Sequence, residues 1–325
     1  MNSARIERST GNGSRPQWLD ETLYPFKSRF IEIGGNRVHY VDEGRGPTLL
    51  LLHGNPTWSF LYRHIITRLA ARFRCVAVDY PGFGLSTAGS GYGFTPREHS
   101  LVLERLVFAL DLRGVGVMVQ DWGGPIGLGF AGRCPERVHA LIICNTWAWP
   151  AQGTKHLEQF SKIAGGSIGR FLILNFNAFV NLLVPLGISR RLSSAEMRAY
   201  RGPFPTRASR LPTHIFPREI LHSRDYLAEV ESKLAQLSSK PVLILWDDRD
   251  TAFKPAERAR FERIFSRHRT RILKGARHFV QEEAPEEICR EVSSFYDQSV
   301  GNAATGSDPR SAKSGDALDF TNRRR

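Results

Sequence analysis

The sequence predicts an α/β fold in which a mostly parallel sheet carries helices on both faces and a helical cap is inserted late in the chain. Three observations predict it. Between Thr48 and Cys144, short apolar runs alternate with stretches whose apolar residues recur at helical spacing, as expected of strands covered on both faces by helices. From Ala148 to about Gln236 the strand signals vanish, and they resume only at Pro241–Trp246 (PVLILW). Midway, the β-branched residues Val115, Val117 and Val119 run straight into Gly123, Gly124 and Pro125, with Asp121 at the bend between strand and helix.

Taken in order, residues 1–25 open on a Ser/Gly/Arg-rich segment expected to be flexible. Arg29–Ile33 and Arg37–Glu43 read as a hairpin turning at the Gly-Asn step of Gly34-Gly35-Asn36. Thr48–Leu52 (TLLLL) and Cys75–Asp79 (CVAVD) are continuous apolar runs, with an amphipathic helix from Ser59 to Ala70 between them. A helix is expected over Pro96–Leu110, then the strand at Val115, a helix from near Gly123, and a strand at Ala140–Cys144. These elements place a first part of the core at 26–147, a helical cap at 148–237, and a second core part at 238–299 that ends with a strand at Thr270–Leu273. Residues 300–325 read as a disordered tail.

At 325 residues the chain can bury a sizeable core, and 41% hydrophobic with 24% charged residues is the balance of a soluble globular protein. The formal charge of +13 is dispersed, with a run of three arginines only at Arg323–Arg325. Without aromatic interleaving or a nucleic-acid fold signature it reads as a solvated basic face, and no nucleic-acid partner is expected. Residues 1–20 hold no apolar signal region. The greasiest stretch, Phe171 to Gly187, is interrupted by Asn175, Asn177 and Asn181 and reads as a buried helix, so no membrane partner is expected, although a sticky cap would favour a homo-oligomer. Four widely spaced cysteines read as buried thiols rather than a disulfide framework or a metal site. The expectation is a cytoplasmic protein without metal or cofactor.

A sharp strand-to-helix turn leaves its apex side chain exposed at the carboxyl edge of the sheet, where ligands of parallel sheets bind. His53, Asp79, Asp121 and Asn145 all fall at strand ends and converge on that edge. A nucleophile elbow followed by an acid after a late strand and a histidine near the end is the triad order of an α/β-hydrolase fold. Asp121 stands at the elbow, Asp250 in the loop Asp247-Asp248-Arg249-Asp250, and His278 after the last strand and its Gly275 turn. A carboxylate is ionised at neutral pH and needs no base for its own attack, so the histidine is free to activate water afterwards. Such a nucleophile suits displacement at an sp3 carbon, with halides and strained epoxides as candidates.

HGNPTWSFLYRHII at His53–Ile66, DYPGFGLS at Asp79–Ser86, VQDWGGPIGLGFA at Val119–Ala131, RGPFP at Arg201–Pro205 and GARHFVQEEAPEEI at Gly275–Ile288 together resemble the haloalkane dehalogenase family, over roughly residues 28–297. The resemblance implies that Asp121 attacks the halogen-bearing carbon and forms an alkyl ester, while the indole of Trp122 and the amide of Asn55 donate to the departing halide. It implies further that His278 draws a proton from water, that Asp250 orients the imidazole, and that the backbone N–H groups of Asn55 and Trp122 form the oxyanion hole. The implied partners are a small apolar halogenated substrate and water.

Trp147, Trp149, Phe171, Phe176, Phe179 and Phe279 are candidate pocket residues. One branch of the family carries its acid after the strand before the cap, but here that place reads Cys144-Asn145-Thr146, leaving Asp250; Asp247 departs from a position where relatives commonly have glycine. An epoxide hydrolase would share the triad but needs cap tyrosines, for which Tyr200 and Tyr226 are the candidates. A non-catalytic binding protein of the same fold is the remaining alternative.

Overall fold

The structure, a computed structural model, describes residues 8–9 and 15–304. Nine strands form one sheet: β1 (Arg8–Ser9), β2 (Arg29–Ile33), β3 (Asn36–Glu43), β4 (Thr48–Leu52), β5 (Arg74–Val78), β6 (Val115–Asp121), β7 (Val138–Thr146), β8 (Val242–Asp247) and β9 (His268–Leu273), in the order β1-β2-β3-β5-β4-β6-β7-β8-β9. β1, β2 and β3 pair antiparallel, β3 joins β5 antiparallel, and every pairing from β5 to β9 is parallel. The runs with no polar alternation, LLLL in β4 and LILW in β8, are fully buried, because helices cover both faces of the sheet there.

Helices α1 (Arg63–Leu69), α2 (Pro96–Ala109) and α3 (Gly123–Arg133) precede the strand-free segment between β7 and β8. That segment carries α4 (Lys155–Ala164), α5 (Ser167–Phe176), α6 (Val184–Leu186), α7 (Ser194–Arg201), α8 (Leu211–His222) and α9 (Arg224–Lys233); α10 (Pro255–Ile264), α11 (Val280–Glu283) and α12 (Pro285–Ala304) follow. It emerges from the carboxyl edge of β7 and folds back over it. Arg63 of α1 donates to Glu282 of α11 and, at 2.9 Å, to Glu196 of α7, and Arg190 reaches Glu282 at 2.6 Å and Glu196 at 2.7 Å. The Trp58 indole donates to the Ala199 carbonyl at 3.1 Å, which adds a second tie.

Four expectations need correction. The hairpin turns at Gly34-Gly35, both at positive φ (59° and 80°), and Asn36 already pairs with Ile33. The chain is packed well before residue 25, for Tyr24 is fully buried and Trp18 stacks edge-on against Trp58. The 171–187 stretch is not one buried helix: Asn177 adopts φ 51°, ends α5, and bends the chain by 86° into the turn at Phe179–Leu183 and α6. At the other end α12 continues to Ala304, while the rest of the expected tail lies outside the described residues. No single described helix is long and apolar enough to cross a membrane.

Candidate active site

Asp121 closes β6 with φ 51°, a conformation that L residues rarely adopt, and its pairing with β7 shifts register at the Gln120/Asp121 step. The turn can form because its neighbours lack side chains. A Cβ on Gly123 would lie 2.2 Å from the Leu52 carbonyl oxygen, and one on Gly54 would lie 2.2 Å from Asp121 Oδ1. Thr146 Oγ1 donates to the Asp121 carbonyl at 2.5 Å and pins the strained backbone. The Asn55 N–H donates to Asp121 Oδ1 at 2.7 Å, and the Trp122 N–H also bonds the carboxylate. Burial raises the proton affinity of Asp121 above that of an ordinary carboxylate, opposed by the charge of His278 and by these two N–H groups.

His278 Nε2 stands 3.8 Å from Asp121 Oδ2, and its Nδ1 lies 2.9 Å from Asp250 Oδ2. Burial draws the imidazole pKa down, but the charge and hydrogen bond of Asp250, with Asp121 and Asp247 behind it, reverse this and lift it to about 9. Asp250 is itself buried, yet the facing imidazolium and the Ala252 N–H, 2.7 Å from Oδ1, hold it below the usual carboxylate range. The three side chains reach one point from the ends of β6, β8 and β9, as their order along the sequence predicts.

Beside Asp250, Asp247 is 5% exposed and is pushed up to about 7 by burial and then by the charge of Asp250. Its Oδ1 accepts the N–H groups of Arg249 and Asp250 at 3.2 and 2.8 Å. Asn145 Nδ2 donates to both carboxylates, to Asp247 and, at 3.0 Å, to Asp250. The strand end where no acid was found thus contributes an amide that bridges two acids.

A cavity of about 280 Å³ opens above Asp121 and is lined by Asn55, Trp122, Trp147, His278 and apolar side chains of the strand-free segment. Asn55 Nδ2 donates one hydrogen to the Thr213 carbonyl of α8 at 3.2 Å, which orients the amide and leaves its second hydrogen for a ligand. The Trp122 indole is wedged between Trp147 (4.6 Å between ring centroids) and Phe216 (5.0 Å), and among the described residues its N–H has no hydrogen-bond acceptor. Trp147, Phe179 and Phe279 line the cavity as expected. Trp149, Phe171 and Phe176 do not. Trp149 packs on Phe261, and Phe171 and Phe176, both on α5, are 58% and 60% exposed.

Neither cap tyrosine faces the cavity. Tyr200 donates to Glu282 and Tyr226 to the Pro125 carbonyl at 2.8 Å, so both hydroxyls are occupied in packing. His53 and Asp79 are also structural. His53 Nε2 accepts the Tyr80 N–H at 3.2 Å, burial lowering its pKa to about 4, and Asp79 binds His39 at 2.8 Å and the N–H groups of Ser59 and Leu85. The sequence reading missed Gln120, whose Nε2 lies 3.0 Å from His278 Nε2 and 3.3 Å from the His278 carbonyl. Its signal was a long polar side chain at the end of a strand whose residues before it are all apolar, directly beside the nucleophile position.

An acidic elbow, a histidine oriented by a late acid and an inserted helical segment over the same sheet edge define an α/β hydrolase, and residues 47–285 match the family model described as alpha/beta hydrolase fold. The chain is 44% identical over 271 residues to haloalkane dehalogenase 2 of Mycobacterium tuberculosis, covering 83% of this chain and 94% of that one. A cis-3-alkyl-4-alkyloxetan-2-one decarboxylase of Shewanella oneidensis is 32% identical, over 85% of this chain and 90% of that one. Among solved structures, the haloalkane dehalogenase DbeA of Bradyrhizobium elkani superposes with a TM-score of 0.77 at 29% identity, covering 84% of this chain and 99% of that one. The chain belongs to the haloalkane dehalogenase family.

Proposed function

We propose that the protein hydrolyses small haloalkanes to alcohol, halide and a proton through an alkyl ester on Asp121. The observation that carries this is the meeting, in one apolar cavity, of an anionic Asp121 with two neutral N–H donors, the Asn55 amide and the Trp122 indole. Asp121 Oδ1 is engaged by the Asn55 N–H, so Oδ2 is the oxygen free to attack the carbon while the halide departs toward the two donors. Donors placed where charge grows lower the barrier in the transition state more than in the ground state. Water next adds to the ester carbonyl as His278 Nε2 takes its proton, and the charge that develops on Oδ1 meets the Asn55 N–H. The adduct then collapses by breaking the bond from the carboxyl carbon to the alkyl oxygen, which takes the proton from His278 and leaves as the alcohol, while the restored Asp121 carboxyl gives up the released proton. Asp250 holds the imidazole through Nδ1 and balances its charge.

Similarity to oxetan-2-one decarboxylases makes a strained four-membered lactone a second electrophile for the same carboxylate. Epoxide hydrolysis is disfavoured because neither cap tyrosine hydroxyl faces the cavity. The test uses a terminal bromoalkane and the His278→Gln variant. The wild type should release halide and alcohol in equal amounts. The variant should release about one halide per active site and then stall, with the alkyl group found on Asp121 by mass spectrometry, since loss of a general base costs roughly 10²–10⁴ in rate. Unmodified variant protein would overturn the ester mechanism. Turnover confined to styrene oxide or to an oxetanone would overturn the dehalogenase reading.

A further inference from the structure

The strand-free segment presents an apolar surface that its own packing leaves uncovered. Ile168 is 75% exposed, Leu186 65%, Phe176 60%, and Phe171 and Leu182 58% each, all on α5, the turn at Phe179–Leu183 and α6. Single exposed apolar residues are ordinary, but a cluster of this size around one bend is an interaction site. The surface is also continuous with the cavity, for Leu186 and Phe160, both exposed, line its outer wall.

Arginines rim this surface and are tied to it. Arg210 donates to the carbonyls of Leu174 and Asn175 at 3.0 and 3.1 Å, Arg201 to Asn181 at 2.7 Å, and Arg277 to the Leu186 carbonyl at 3.2 Å. Next to Leu186 a groove of about 580 Å³ gathers Arg190, Arg191, Arg198, Arg201 and Arg277. Residues 160–210 hold eight Lys and Arg but a single carboxylate, Glu196, which is buried against Arg63 and Arg190. Apart from Arg190, which Glu196 and Glu282 hold, the basic rim is therefore not neutralised from within the segment.

We propose that this face docks on an anionic phospholipid bilayer, with the bend between α5 and α6 lying in the interface and the arginines over the headgroups. The 10 residues of α5 extend about 15 Å, half the hydrocarbon core, and the 86° bend prevents the next turn from continuing them, so the segment lies on a bilayer rather than crossing it. Apolar side chains on one face with cationic groups around them are the composition of such interfacial elements. With the cavity wall contacting the lipid, an apolar substrate dissolved in the bilayer enters at Phe160 and Leu186; this consequence, unlike the docking itself, rests on the proposed dehalogenase activity.

The test is co-sedimentation of the full chain with vesicles of phosphatidylcholine, with and without phosphatidylglycerol. Binding is expected only to the anionic vesicles and weakens as salt screens the rim. The Ile168→Ser/Leu182→Ser variant should bind about tenfold more weakly, and Arg191→Gln/Arg198→Gln about fivefold more weakly per arginine. Both should release halide from a short, water-soluble bromoalkane at the wild-type rate. Absence of binding to anionic vesicles, or equal binding by wild type and both variants, overturns the proposal. So does a wild-type oligomer that Ile168→Ser/Leu182→Ser converts to monomer without vesicle binding, which would make the patch an interface between copies. Vesicle binding with this pattern but no halide release from any bromoalkane would keep the docking and sink the dehalogenase reading.

Discussion

Asp121 and His278 control each other's charge, and the distance between them sets by how much. At 3.8 Å and an effective dielectric of about 20, a carboxylate stabilises an imidazolium by about 4 kcal/mol, roughly a thousandfold in proton affinity. Asp250 acts on the other nitrogen from 2.9 Å, and together they hold the imidazole at about 9, too basic to be neutral at pH 7. Forming an ester removes the Asp121 charge and leaves Asp250, with Asp247 behind it, on the other side. His278 then sheds its proton at the stage when a base is required. Asp121→Asn mimics the neutral ester in size and charge without reacting. Titration of His278 by NMR should show its pKa falling from about 9 into or below the neutral range in this variant. A pKa within tenfold of the wild type in proton affinity would refute the reasoning and assign the imidazolium to Asp250 alone.

Removing either halide donor, by Trp122→Phe or Asn55→Ala, should slow the halide-release step by about 10²–10³, measured in single-turnover experiments, and leave hydrolysis of a preformed ester less affected. Asp247 keeps its proton to about pH 7 in the folded chain but to about 4 when unfolded, so the folded state binds more protons in that window and stability falls as pH rises through it, by up to about 4 kcal/mol. Asp247→Ser retains an acceptor for the Arg249 and Asp250 N–H groups; its melting temperature relative to wild type should therefore be higher at pH 8 than at pH 5. Arg63→Met leaves the buried Glu282 and Glu196 with fewer cationic partners, which should cost about 3–5 kcal/mol and lower the melting temperature by roughly 10 °C in a thermal scan.

The features governed by neighbours along the chain are legible in the order of residues alone. Val115–Val119 followed by paired glycines specifies a strand driven into a helix, and steric exclusion at Gly123 leaves the side chain of Asp121 at the apex. Alternation of apolar runs with helical periods specifies the parallel sheet, and the chain order of Asp121, Asp250 and His278 follows the order of their strands. Contacts between distant segments were decided only by the tertiary structure. Asn145, Asp247 and Asp250 meet because β7 and β8 are adjacent, and nothing in either strand alone discloses that one amide bridges two acids. Gln120 reaches His278 across 158 positions. The 171–187 stretch was misjudged because an apolar run carries no record of which face is covered, and the left-handed Asn177 breaks it into two short helical pieces that each leave apolar side chains in solvent. Local sterics are written in consecutive residues, whereas burial depends on what the rest of the chain brings alongside.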